Sequence, residues 1–349
     1  MSDRPDTILF YGSTDSGKTL ELGECAKWEY EHTGMISRLI SADSGWDPIE
    51  ELIISADNPK GIIESWNIQS LQDPWVILIE LSEGAWPQVY QAPSGEWKIR
   101  MQRPKWQSEI EHKHVGMGPR IVCADGRLVG QYLIEGISTI CSTGMQDHLR
   151  VGRKLAQDVI GSFTSKVEEI TTDGKPASRE MTFSAPALAH YGQIQRFLLD
   201  DLVPRFGRLN VNRVIWTGHE ARGKDEFEVV TPGQGTSAFG PATIGRAVVD
   251  KTTFKFGHSF HFTVKTTVGK DAKGTDTVQR DFRAWFVSHP DETYTKTLWP
   301  AKLSLPKEKS LELLRKFPGG YIPRKDLGMG QFLEFLAQQF LLDREGATK

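Results

Sequence analysis

Apolar positions in this chain gather into short unbroken runs separated by turns rich in glycine, proline and serine. Alternation of apolar and polar residues is most extended late in the chain. Unbroken apolar runs belong to strands covered on both faces, as in a parallel sheet. Ile8-Leu9-Phe10-Tyr11 is the first, ISRLISAD (Ile36–Asp43) the second, and GIIESWNIQS from Gly61 the third. Between the first two lies KTLELGECAKWEYEH, a helix expected from Lys18 to His32. SGWDPIEELI supplies a short helix with Asp47 and Pro48 at its entrance. The first 70 residues therefore read β–loop–α–β–α–β. That order predicts an α/β fold: a mainly parallel central sheet with helices on both faces.

Further along, Val76–Leu81 fits either a buried strand or a piece of helix, which periodicity does not separate. Residues 84–130 read as an insertion, interrupted by glycines and prolines (Gly84, Pro87, Pro93, Gly95, Pro104, Gly116, Gly118 and Pro119 among them) and containing a hairpin-like WKIRMQ. Gln131–Ile140 (QYLIEGISTI) is another buried strand with an acid near its end. The stretch from Cys141 to Ile170 carries Met, Leu and Val at helical spacing and is expected to be helical. Thr171–Pro186 is polar and contains Gly and Pro, so a mobile loop is expected there. LAHYGQIQRFLLDDLVPRF restarts a helix, and Asn212–Gly218 forms a strand running into His219-Glu220. A glycine-rich segment, 228–252, is expected at the edge of a site. FKFGHSFHFTVKTTV and RDFRAWFVSH alternate like antiparallel edge strands. After Pro306 come a helix over Lys307–Lys316, a PGGYIP turn and an amphipathic helix near Gly330–Arg344. The division that results is a core over residues 1–305, the insertion at about 84–130, and a C-terminal helical extension over 306–349.

At 349 residues the chain can bury a large core, and 42 basic against 45 acidic side chains leave a net charge of −3. That balance argues against indiscriminate binding to duplex DNA but leaves room for a local basic groove. Cys25, Cys123 and Cys141 are odd in number and far apart, so neither a disulfide framework nor a zinc site is expected. The polar start MSDRPDT leaves no room for a signal peptide, and no apolar stretch approaches the ~20 residues of a membrane span. A soluble protein of a reducing cytoplasm is the expectation.

Chemistry enters with GSTDSGKT, which fits G-x-x-x-x-G-K-[ST] at every fixed position. The eight residues Gly12, Ser13, Thr14, Asp15, Ser16, Gly17, Lys18 and Thr19 lie between an apolar strand and a helix. In that setting backbone N–H groups of the turn and helix N-terminus converge on phosphate oxygens. Lys18 would reach the β- and γ-phosphates of ATP, and the Thr19 hydroxyl would ligate Mg²⁺. An ordinary Gly/Ser turn capping a helix is the competing reading.

Ligands of doubly wound sheets sit beyond the carboxyl ends of the parallel strands, so polar residues just past apolar runs become candidates. Glu135 follows Tyr132-Leu133-Ile134, where an acid would orient Mg²⁺ through water. Asp125, after IVCA, is its rival, but it sits in a DG turn where Asp has a local role. Asp43 either acts on an attacking water or merely caps the SGWDP turn. His219 and Glu220 stand where a polar residue can sense a γ-phosphate, although a hydrogen-bonded strand-end histidine explains His219 equally well. His258 and His261, three apart in an alternating strand, point to opposite faces and do not share a metal. Within Trp97–Arg120, six basic side chains stand against two acidic, with Trp97 and Trp106 in the same stretch. Charges that pair with phosphates and rings that stack on bases would suit a single strand. A solvated hairpin whose tryptophans pack onto the main domain is slightly preferred on these residues alone.

GSTDSGKT, YLIEGISTI, VIWTGHE and the GPATIG segment, taken in order, resemble the RecA-like P-loop ATPases of bacteriophages. They are most similar to phage ATP-binding proteins related to single-strand-annealing recombinases. The resemblance spans about residues 5–305. It implies a RecA-type core with antiparallel strands at one edge, ATP and Mg²⁺ at the strand ends, and a homo-oligomeric ring or filament. It also implies a basic residue reaching the γ-phosphate from a neighbouring subunit, a place that Lys302 matches, with Lys296 as a substitute. The insertion at 84–130, and Glu135 where Asp is commoner, depart from the pattern. The function expected is an ATP-hydrolysing protein acting on single-stranded DNA in recombination or replication. The alternative is a nucleotide-gated phage assembly or packaging factor with a protein partner. A small-molecule kinase ranks below both, since 221–250 holds only Arg222 and Arg246 where an arginine-rich lid would lie.

Overall fold

The computed structural model describes residues 5–43, 46–68, 74–107, 120–143, 161–170, 176–185, 196–221, 240–241, 252–270, 276–290, 298–299, 301–324 and 328–347. The first strands are β1 (Asp6–Gly12), β2 (Ile36–Ser41) and β3 (Ile63–Asn67), with helix α1 (Lys18–Thr33) between β1 and β2. Helix α2 (Pro74–Ser82) and strands β4 (Trp86–Gln91), β5 (Trp97–Gln102), β6 (Lys105–Gln107), β7 (Arg120–Val122) and β8 (Val129–Glu135) follow. Next come β9 (Gly161–Ile170), β10 (Pro176–Ala185), β11 (Arg213–Ala221), β12 (Gly240–Pro241), β13 (His258–Lys270) and β14 (Asp276–Trp285). The chain closes with β15 (His289–Pro290), β16 (Leu298–Trp299), β17 (Lys302–Leu303), α3 (Lys307–Lys316), β18 (Tyr321–Pro323) and α4 (Gly330–Ala347).

One sheet runs in the order β18-β14-β13-β1-β11-β8-β2-β3. From β13 to β3 all neighbours are parallel, while β14, β17 and β18 add antiparallel strands at the other edge. The fold is thus α/β with a mostly parallel central sheet, and the alternating segments 254–268 and 280–289 supply its antiparallel side. Burial explains the unbroken apolar runs: every residue of β2 and β8 is buried, as are Ile8 to Gly12 of β1. Ile8 and Phe10 face a core shared with Leu22 and Cys25 of α1 and Phe332 and Leu333 of α4. Leu9 and Tyr11 face a second core, shared with Leu78 and Leu81 of α2 and with Leu198 to Phe206. Successive side chains of one strand therefore feed opposite layers. Val76–Leu81 resolves as helix. Among the described residues, no helix is long and apolar enough to cross a membrane.

Two expectations fail in the middle of the chain. Residues 161–170, expected as helix, form β9, and 176–185, expected as mobile loop, form its antiparallel partner β10. Phe163 and Val167 are four apart, a spacing that satisfies both the helical period and the strand period of two. The helix expected around residue 200 is present, its Phe197–Leu202 portion wound as π-helix. In the insertion, β4 pairs β5 and β6 pairs β7, so WKIRMQ is one arm of a hairpin. Residues 108–119, most of 228–252 including part of the GPATIG segment, and Lys296 lie outside the described residues.

A buried ion pair locks α1 to the sheet. Glu29, fully buried, accepts from Arg213 Nη1 at 2.5 Å, from Asn212 Nδ2 at 2.5 Å and from Thr33 Oγ1 at 3.0 Å. The Arg213 guanidinium lies over Trp28, 4.7 Å from the ring centroid. Removing one partner strands the other charge in the core, a loss of about 3–5 kcal/mol. Glu29→Ala should therefore lower the urea midpoint sharply, and Glu29→Leu with Arg213→Met should be less destabilised than Glu29→Ala.

Candidate functional site: a cleft at the carboxyl ends of the parallel strands

The loop after β1 forms because its glycines go where other residues do not. A Cβ on Gly12 would meet the Phe262 carbonyl oxygen at 2.2 Å, and Gly17 caps α1 in the left-handed region with φ 88°. Asp15 also has positive φ, 60°. The cleft that results, about 510 Å³, is lined by Thr14 to Leu20, Asp43, Glu135, Gly136, Thr217 to His219, Arg280 and Phe282. Residues from five separate stretches of sequence thus converge where the strands end.

Lys18 folds back over the loop, its Nζ donating to the carbonyls of Gly12 at 3.0 Å and Ser13 at 2.6 Å and to Ser16 Oγ at 3.2 Å. Burial lowers its pKa to about 8, opposed by the charges of Glu220, Glu135, Asp43 and Asp15. Thr19 Oγ1 donates to Glu135 Oε1 at 2.6 Å, and Ser41 Oγ to Glu135 Oε2 at 2.9 Å. Burial raises the pKa of Glu135, against the two hydroxyl donors. Asp43 accepts from Thr139 Oγ1, and its Oδ2 lies 3.9 Å from His219 Nε2. The His219 N–H donates to Ser138 Oγ at 3.2 Å.

Lys18, Thr19, Glu135, Asp43 and His219 therefore share one cleft. Asp125 lies apart, accepting from the Arg127 backbone N–H at 3.0 Å and Nε at 2.6 Å, the local turn role read for it. Lys302, on β17, pairs with Ser259 of β13, and its Nζ donates to the Phe256 carbonyl at 2.8 Å. That places it at the end of β13 away from the loop of its own chain. Glu220 sits one residue past His219 and bonds His261 on the opposite face of the sheet from α1. His258 packs on Phe332 while His261 stacks on Tyr11, so the two histidines do face opposite ways.

Three side chains at the site escaped the sequence reading. Arg280 and Phe282 share one face of β14, and the alternation of that strand was visible, but which face meets the loop depends on the β13–β14 register. Arg324, from the C-terminal extension, lies with its Cζ 5.1 Å from the Phe282 ring centroid and its Nε 3.5 Å from Glu21 Oε1. Its Nη1 is 3.4 Å from where a side chain on Gly17 would begin. No sequence signal pointed across more than 300 residues to that contact.

For a divalent cation the donors are hard oxygens: the Thr19 hydroxyl, the Glu135 carboxylate, and Ser41 and Asp43 beside them. Among the described residues no group of three or more His, Cys, Asp or Glu side chains could hold a metal unaided. That set suits Mg²⁺, which keeps waters and completes its shell with substrate phosphates. The chain matches no protein-family model and no curated protein.

Glu21, in the first turn of α1, is buried and accepts from the Met329 N–H at 2.9 Å. Burial raises its pKa to about 7, opposed by that hydrogen bond and by Arg324. A carboxyl that holds its proton more tightly when folded stabilises the fold fully below pH ~4.5, and that contribution fades as pH rises to about 7. The loss over that window is at most about 3 kcal/mol. Glu21→Gln keeps an acceptor for Met329, so its unfolding free energy, set against the parent's between pH 4.5 and 7.5, should lack that decline.

Proposed function

We propose that the chain is a RecA-like P-loop ATPase of phage type that acts on single-stranded DNA in recombination or replication. One observation carries the nucleotide part: a G-x-x-x-x-G-K-[ST] loop at the end of a central parallel strand, with Lys18, Thr19 and Glu135 converging in one cleft. In this reading the loop N–H groups and the start of α1 hold the phosphates, and Lys18 leaves its carbonyl partners for the β- and γ-oxygens. Thr19 and Glu135 would hold Mg²⁺, which when bound neutralises charge on those phosphates. In this reading Asp43 and His219, which line the cleft, and Glu220, next to it in sequence, would act on an attacking water or sense the γ-phosphate. Lys302 faces away from its own cleft, so only a neighbouring subunit could use it.

The DNA part rests on the β4–β5 hairpin. Trp97 is 71% exposed, so this ring does not pack onto the main domain as expected. Cross-strand pairing groups Trp97, Val89 and Ile99 on one face and Tyr90, Lys98 and Arg100 on the other, where Arg100 lies 5.1 Å from the Tyr90 ring centroid. Trp97 offers a ring on which an unpaired base could stack, and the half-buried Tyr90 with Lys98 and Arg100 puts charge for phosphates on the other face of the same hairpin.

The assembly-factor alternative has one observation in its favour. Val268 and Val278 pair across the β13–β14 hairpin and are 69% and 61% exposed, an apolar spot that suits a protein partner. Steady-state ATP hydrolysis with and without single-stranded DNA separates the two. DNA-coupled hydrolysis is expected, lost by about 100-fold or more in Lys18→Ala. Trp97→Ala should weaken single-strand binding roughly tenfold in a filter assay while leaving DNA-free hydrolysis unchanged. Hydrolysis blind to DNA, with an oligomeric state that changes with nucleotide, would favour the assembly reading, and hydrolysis by Lys18→Ala at the parental rate would overturn both.

A further inference from the structure

Next to the cleft, on the sheet face away from α1, three titratable side chains are bonded in a row. His261 Nε2 lies 3.0 Å from Glu220 Oε2, and His261 Nδ1 lies 2.8 Å from His289 Nε2. His261 is 1% exposed and His289 8%. The rings are held in place: His261 stacks on Tyr11, centroids 4.8 Å apart, His289 meets it edge to edge with centroids 5.0 Å apart, and His289 stacks on Trp285 at 4.1 Å. Glu220 is the next residue after His219, which pairs with Gly12, the first residue of the loop.

The chemistry of the partners sets the protons. An ionised carboxylate only accepts, so the hydrogen of a neutral His261 is on Nε2, and its Nδ1 accepts from the His289 Nε2–H. Every hydrogen bond in the row thus points toward Glu220. An N–H donated to a carboxylate favours its ionised form. Tyr11 from β1 and Lys18 from α1 are titratable groups on which the Glu220 charge acts. Burial and the Glu220 charge push the Tyr11 hydroxyl well up, so it stays neutral. Glu220 is also first among the carboxylates that oppose the lowering of the Lys18 pKa. Apolar side chains would fill this space with no polar group to satisfy, so the row calls for a role.

We propose that His261, backed by His289, is a positioning residue that holds the Glu220 carboxylate ionised and oriented at the end of β11, where Glu220 accepts the proton of the water attacking the γ-phosphate. This rests on the ATPase reading above. In the step, the water oxygen forms a bond to the γ-phosphorus and one of its protons passes to Glu220. The bond from phosphorus to the β–γ bridging oxygen breaks, its electron pair staying on ADP, and inorganic phosphate leaves. His261 keeps its own proton throughout and acts only through the carboxylate.

The test uses the full chain with His261→Leu, His261→Gln and Glu220→Gln, reading the pH profile of kcat/KM for ATP hydrolysis, kcat, and affinity for a fluorescent ATP analogue. His261→Leu should lower kcat by roughly 10–100-fold, with analogue affinity within about threefold of the parent. The acid limb of its kcat/KM profile should move up by roughly one pH unit, because the carboxylate has lost a donor. His261→Gln, whose amide N–H can replace that donor, should recover most of kcat and return the limb toward its parental position. Glu220→Gln should lose at least as much kcat, with no further loss on adding His261→Leu. A parental profile and kcat in His261→Leu, or full activity in Glu220→Gln, would overturn the inference while leaving the ATPase reading intact. Equal loss of analogue binding and thermal stability in both His261 variants would overturn it in favour of a structural role. A parent protein that does not hydrolyse ATP would remove the reading and this inference together.

Discussion

The position of β1 between two parallel strands governs the rest of the molecule. Its register pairs Gly12 with His219 near the end of β11 on one side and with Phe262 within β13 on the other, so the loop after it opens between those two strands. The fit against Phe262 is close enough to exclude any side chain at Gly12. Once that register is set, β8 brings Glu135 to Thr19 and β2 brings Ser41 and Asp43 alongside. The cleft therefore follows from sheet order, and the buried Glu29–Arg213 pair fixes α1 against that sheet at its other end.

Electrostatics in the cleft are unbalanced in an instructive way. Lys18, deprived of water, has the charges of four carboxylates acting on it, and it satisfies its ammonium with loop carbonyls and a serine hydroxyl. Loop N–H groups and the start of α1 favour an anion at the same place. In the proposed reading, a polyphosphate accompanied by Mg²⁺ resolves this crowding, since it gives the lysine a stronger partner and gives the acids a cation to face. In the same reading, His261, bonded to Glu220, would hold one of those carboxylates still.

Much of the parallel sheet was legible because buried strands announce themselves as unbroken apolar runs, and the loop because its spacing is set by backbone geometry. Glu135 and Asp43 were found by one rule, that ligands lie past the carboxyl ends of strands. Residues 161–170 and 176–185 were misread because a four-residue apolar spacing serves helix and strand alike, and the pairing of β9 with β10 is a tertiary fact. Arg280, Phe282, Arg324 and the His261–His289 row stayed hidden for a related reason. Each acquires its meaning from register or from a contact distant in sequence, and neither is encoded in local periodicity. Trp97 shows the reverse case: its type and basic neighbours hinted at an exposed role that the plainer packing argument discounted.

The most direct test of nucleotide binding at this loop is a calorimetric titration of the purified chain with ATP and Mg²⁺, beside the same titration of Thr19→Ala. Binding at the loop predicts saturable heat at one nucleotide per chain that weakens strongly in the variant and in the parent without Mg²⁺. No heat from the folded parent, or equal binding by Thr19→Ala with and without Mg²⁺, would contradict it.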